Sequence, residues 1–163
     1  MLADQDRDRW DRVAIGEGTA RLERAMRRGR PGPYQLQAAI AAVHAEAPTA
    51  ETTDWPQIAA LYRELARLAP SPVIELNRSV AIGMADGWEA ALARVEDLAT
   101  TTPAFAGWHR FHAVRAEMLE RVGRLDEAIE GYERALALVD ASVERAYLEA
   151  KLASCRTRAA PDA

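Results

Sequence analysis

HRFHAVRAEMLERVGRLDEAIEGYERALALVDAS, residues 109–142, is the stretch that decides the fold. Its apolar residues recur at intervals of three and four on either side of Gly123, the pattern of two helices joined by a tight turn. Ala116, Ala128 and Ala135 put small side chains where such helices cross, and Tyr132 is large enough to fill the gap between them. Arg115 departs from the pattern, because a packed pair of this kind usually carries Leu there. Two helices alone leave apolar faces bare, so further pairs must stack on them.

The unit resembles a tetratricopeptide repeat, and the chain on either side reads as its neighbours. Proline and glycine divide the sequence into segments of helical length. The first predicted helix runs from about Arg9 to Arg28, with Trp10, Val13, Ala14, Leu22, Ala25 and Met26 on one side and Gly29 as its stop. Gly32 and Pro33 open the second, Tyr34 to about Glu46, whose inward stripe is Leu36, Ala39, Ile40 and Val43. Asp54 caps a third that carries Ile58, Leu61, Tyr62, Leu65 and Leu68. Ser71 and Pro72 start a fourth with Val73, Leu76, Val80 and Met84 inward. Asp86 and Gly87 turn into a fifth, with Trp88, Ala91, Leu92, Val95 and Leu98 facing the core. After the quoted pair an eighth, Ser142 to about Ser154, closes the array with Val143, Tyr147 and Ala150, capped by Ser142. No segment alternates with period two. The expected fold is all-α, a right-handed α-α superhelix of stacked antiparallel pairs. It forms one domain over residues 1–157 with a frayed tail at 158–163.

At 163 residues, with 49% apolar and 28% charged side chains, the chain can build a packed core without staples. A formal net charge of −4 speaks against gripping a nucleic-acid backbone and for protein partners. Cys155 is the single cysteine, which rules out an internal disulfide and a cysteine-based metal site. The charged first eleven residues do not have the form of a signal peptide, and no apolar run reaches membrane-spanning length, so a cytoplasmic protein without membrane contact is expected.

Chemistry has little to stand on. DQDRDRWD, residues 4–11, sets Asp4, Asp6, Asp8 and Asp11 among arginines without a His, Cys or glycine-rich loop. The favoured reading has Trp10 packing inward and the flanking charges forming specific pairs that dock this segment on the domain or a partner. His109 and His112 have a spacing that suits a metal but lack a third ligand; the expectation is His112 in the crossing layer and His109 facing water. His44 beside Glu46 reads as a satisfied helix end rather than a proton shuttle. Arg21, Arg24, Arg27, Arg28 and Arg30 concentrate positive charge without interleaved aromatics, a solvated face or a surface for an acidic protein. Asn77 and Arg78, polar within an apolar helix, either bond to the next helix or line an inner groove. No phosphate loop, dinucleotide fingerprint, zinc-protease motif or nucleophile elbow is present. Neither catalysis, a cofactor nor a metal is expected.

Four phrases then belong together: DQDRDRWD at 4–11, GRPGPYQLQAAIAAVHAEAP at 29–48, TDWPQIAALY at 53–62 and SPVIELNRSVAI at 71–82. Together they resemble the C-terminal helical extension of a subgroup of bacterial extracytoplasmic-function RNA polymerase sigma factors, of the sigma-70 family. The two sigma regions that precede the extension in that family have no counterpart in these residues, so a fragment or a standalone remnant is expected, one that does not bind DNA itself. The resemblance implies a regulatory domain that modulates transcription initiation by contacting the sigma regions, core RNA polymerase or a signalling protein. The positions it singles out are Asp4, Asp6, Arg7, Trp10, Asp11, Tyr34, Gln35, His44, Glu46, Asp54, Trp55, Asn77 and Arg78. An alternative is a small-ligand sensor in which Tyr34, His44, Trp55, Asn77 and Arg78 converge on a pocket; a standalone adaptor is another.

Overall fold

A computed structural model describes residues 6–160. Among these are eight α-helices and no strand: α1 (Arg12–Met26), α2 (Pro33–Glu46), α3 (Trp55–Leu68), α4 (Pro72–Asp86), α5 (Trp88–Thr101), α6 (His109–Arg121), α7 (Leu125–Leu138) and α8 (Ser142–Ala159). Short 3-10 turns occupy Arg7–Arg9 and Pro103–Gly107. The fold is all-α and made of packed helix pairs. Contacts divide it into two compact units, one up to Ala81 and one from Ile82, with the division inside α4.

Local chemistry sets the ends. The Asp11 carboxylate accepts the Ala14 N–H at 2.9 Å and starts α1, and Asp54 does the same for α3 through Gln57 at 2.9 Å. Pro33 opens α2, where the Gln35 side chain reaches back to the Gly32 N–H at 3.1 Å. Gly123 at φ 81° lets the chain leave α6, and the Arg124 N–H returns to the Leu119 carbonyl at 2.9 Å. A residue with a Cβ would be strained at that φ.

The first unit is built on Leu36, Ile40, Ile58, Leu65 and Ala81, with Val43, Trp55 and Tyr62 packed around them. α1 adds least to it. The expected long first helix is broken at Trp10, and α1 buries no residue fully; Val13, expected inward, is 74% exposed. Of the α4 stripe, Leu76 is buried while Val73 and Met84 are exposed, as is Leu68 at the end of α3.

In the second unit the quoted stretch forms α6 and α7. A Cβ on Gly131 would lie 2.9 Å from that of Ala116, so the two helices meet almost backbone to backbone. Ala128 and Ala135 continue that close seam and are fully buried. Each side chain left out lets the helices approach and the flanking Met118, Leu119 and Tyr132 fill the remaining space at interior density. α8 covers α7 with Leu148, Leu152 and Cys155, not with the expected face: Val143 is 82% exposed and Ala150 is exposed. The difference is a rotation of α8 about its axis. The face used is the one that also brings Lys151 and Arg158 to Glu120. α8 begins after Ala141 without a Ser142 side-chain cap and runs to Ala159, so Arg158 belongs to the helix and not to a tail.

Candidate functional site

Residues 6–12 do dock on the first unit, but among the described residues through caps and carbonyls rather than through the charge pairs expected. Asp6 caps the 3-10 turn by accepting the Asp8 N–H at 3.1 Å, and Asp11 caps α1. Asp4 lies outside the described residues. The arginines do the docking, and their partners are carbonyls. Arg7, 7% exposed, donates to the His44 carbonyl at 3.0 Å and the Ala47 carbonyl at 2.6 Å. Arg12 donates to the Ala45 carbonyl at 3.2 Å and, at 3.4 Å, to that of Arg7. The His44, Ala45 and Ala47 carbonyls are the unsatisfied acceptors at the C-terminal end of α2, where the helix dipole also favours a cation. Trp10 completes the arrangement with its ring 5.1 Å from the Arg7 guanidinium, within cation–π range.

His44 stands next to this plug. Its ring meets Trp55 edge to face at 5.1 Å, and its Nδ1, like the Trp55 Nε1, is buried with no hydrogen-bond partner among the described residues. Burial, followed by the Arg7 charge, holds the imidazole below its usual range, so it is neutral at pH 7. Arg7, Trp10, His44 and Trp55 are thus gathered at one end of α2, with Asp54 capping the helix that carries Trp55. Glu46 is exposed at the same helix end. Tyr34 and Gln35 sit at the other end of α2, about 15 Å away at 1.5 Å per residue. Tyr34 is 84% exposed.

Asn77, exposed on α4, lies close enough to the Tyr62 hydroxyl of α3 to offset part of the upward push that burial gives that phenol. Arg78 turns to Glu75 on its own helix at 3.4 Å, its Nε buried without a hydrogen bond. Tyr34, His44, Trp55, Asn77 and Arg78 therefore do not line one pocket. A groove of about 250 Å³ does exist in the first unit, between α1 and α2, but its walls are Ile15, Leu22, Ala38, Ala41 and their small neighbours.

In the second unit sequence reasoning missed the polar centre. Glu120 accepts from the Tyr132 hydroxyl at 2.9 Å, from Arg158 at 2.6 Å and from Lys151 at 3.5 Å. Burial pushes its carboxyl up, but these donors outweigh burial and hold it below the ordinary carboxylate range. The Tyr132 phenol and the Cys155 thiol are both pushed up, first by burial and then by Glu120, through its hydrogen bond to the phenol and its charge on the thiol. Arg115 bridges Glu96 of α5 at 3.3 Å and Glu127 of α7 at 3.9 Å, which accounts for Arg where Leu was expected. His109 does not face water: its Nε2 is 3.0 Å from Glu144, which also takes Arg110 at 2.6 Å. His112 gives its backbone to the helix crossing, while its ring Nε2 reaches the Ala106 carbonyl at 3.0 Å. The two imidazoles are thus committed to different partners. No cluster among the described residues could hold a metal ion, and no described helix is long and apolar enough to cross a membrane.

No protein-family model matches this chain, and no solved structure matches it. It is similar to an uncharacterized protein of Rhizobium meliloti (strain 1021), 47% identical over 152 residues. The aligned stretch is 93% of this chain and 35% of that protein, so the chain spans about a third of the length of the relative it matches.

Proposed function

We propose that this chain is a non-enzymatic protein-interaction domain of an extracytoplasmic-function sigma factor, acting in the cytoplasm to modulate transcription initiation. Its partners are the sigma regions, core RNA polymerase or a signalling protein. The observation that carries the reading is the match to one third of a longer protein, which fits a helical extension attached to other regions. The family phrases support it. Arg7 of DQDRDRWD, joined by Arg12 just after it, fastens onto the end of GRPGPYQLQAAIAAVHAEAP, so the two phrases meet in one structural unit. Side chains spent on carbonyls and helix caps suit a scaffold that presents surfaces.

The test is deletion of this region from the longer protein, followed by polymerase-binding and in vitro transcription assays. Altered promoter output or polymerase affinity is expected. Unchanged behaviour in both assays refutes the proposal.

A further inference from the structure

α2 is the place to look for a contact surface, because it lies on the outside of the first unit yet carries no charged residue from Pro33 to Ala45. With Ile15, Gly18 and Leu22 of α1, its Ala38, Ala41 and Ala45 wall the 250 Å³ groove. Tyr34 precedes Ala38, Ala41 and Ala45 at i, i+4, i+7 and i+11, so it continues the same stripe past the groove. That places the most exposed aromatic of the described residues in line with an apolar channel.

The two ends of the channel differ in charge. At the Ala45 end Arg12, already bonded to the Ala45 and Arg7 carbonyls, is offset by the exposed Glu46. The Tyr34 end adjoins the corner between α1 and α2, where Gly29 at φ 73° turns the chain. Arg28 and Arg30 flank that turn, exposed, and their guanidinium groups make no hydrogen bond or ion pair with any described residue. Arg21 and Arg27, in contrast, pair with Glu17 and Glu23. A helix dipole accounts for a basic residue or two in the last turn of α1, but not for Arg30 beyond it.

We propose that the α1–α2 groove is the docking site for an amphipathic helix of a partner protein, apolar along one face and acidic at the end that meets Arg28 and Arg30. This rests on the reading of the chain as an interaction domain and names its surface. From Tyr34 to Ala45 the channel is about 16 Å long, room for roughly three turns of helix. Small side chains on α2 let an incoming helix approach closely, Tyr34 supplies the kind of aromatic anchor that dominates interfaces, and arginine forks bind carboxylates. Two free arginines at one corner fall well short of the row of phosphate contacts a duplex needs, which is why the partner is a protein.

The probe is a synthetic helical peptide of about 14 residues with Leu and Ala on one face and Glu at one end; its control carries Lys at that end. Amide chemical shifts of the 163-residue chain report binding. The Glu-ended peptide should shift Leu22, Ala38 and Ala41, and bind about ten-fold more tightly than the control at low salt. Ala41→Glu, checked for unchanged helicity, should abolish the shifts. Arg28→Glu with Arg30→Glu should erase the preference for the Glu end. Shifts elsewhere, equal binding of both peptides, or a short DNA duplex displacing the peptide would each overturn the proposal. In the longer protein, an effect of deletion without any effect of Ala41→Glu sinks this groove and leaves the domain's role standing. No effect of deletion sinks the role itself.

Discussion

Replacing Arg7 by Met removes the guanidinium that plugs the end of α2 while keeping much of the side-chain volume. Two hydrogen bonds from a buried cation, at 3.0 and 2.6 Å, are lost together with the contact to Trp10. Hydrogen bonds to charged groups contribute about 1.5–3 kcal/mol each, which sets a ceiling of about 6 kcal/mol for the pair. Water can reach a helix end once the plug has gone, and it restores part of this, so the expected loss is about 3 kcal/mol. Arg7→Lys should recover less than half, because one ammonium on a flexible stem cannot hold two carbonyls and cover an indole at once. Urea unfolding followed by tryptophan fluorescence measures the loss, and amide hydrogen exchange in the last turn of α2 locates it. A loss below about 1 kcal/mol, or full recovery by Lys, would refute the claim that these two bonds fasten the leading segment.

Three further outcomes follow from other sites. The folded-state pKa of His44 lies below its ordinary value, so the unfolded chain binds more protons as pH falls through that ordinary value; stability should decline on acidification until the folded pKa is reached. His44→Gln should flatten this decline, and an NMR titration of the ring with a midpoint at or above that of a free imidazole would contradict it. Glu120→Gln takes the charge from Tyr132, Lys151 and Arg158 at once and should cost about 2 kcal/mol at pH 7 by chemical denaturation, with the difference shrinking as acid protonates the parent carboxyl. Gly83→Ala would drive a methyl into the Trp88 ring packed on α4, a loss of about 1–3 kcal/mol with a changed near-ultraviolet signal; an unchanged signal would mean the indole lies elsewhere.

The α6–α7 pair was legible because small residues at crossings are a steric necessity, and Ala116, Ala128 and Ala135 lie where the spacing placed them. The caps at Asp54 and Pro33 were legible for the same local reason. What a sequence pattern cannot weigh is a long-range polar contact. Arg7 finds carbonyls 37 and 40 residues away, and Glu120 gathers donors up to 38 residues distant. Periodicity also misassigned α1 and α8, since an apolar residue such as Val13 or Val143 obeys the helical period whether or not a neighbouring helix exists to cover it. Of the site residues, the gathering of Arg7, Trp10, His44 and Trp55 could have been suspected from one signal. An arginine among caps, and a helix whose last turn offers a histidine but no arginine or lysine, complement each other.

The near contact of Gly131 with Ala116 bears on how freely this chain can drift. Where a Cβ already lies inside contact distance of its neighbour, no substitution is small, so position 131 should tolerate nothing but Gly in a saturation library, while the exposed Glu130 and Glu133 beside it accept most residues. Variation along α7 would then be sorted by helical phase rather than by distance from the partner surface. One narrow lane stays fixed for the sake of spacing, and the outward face remains free to diverge.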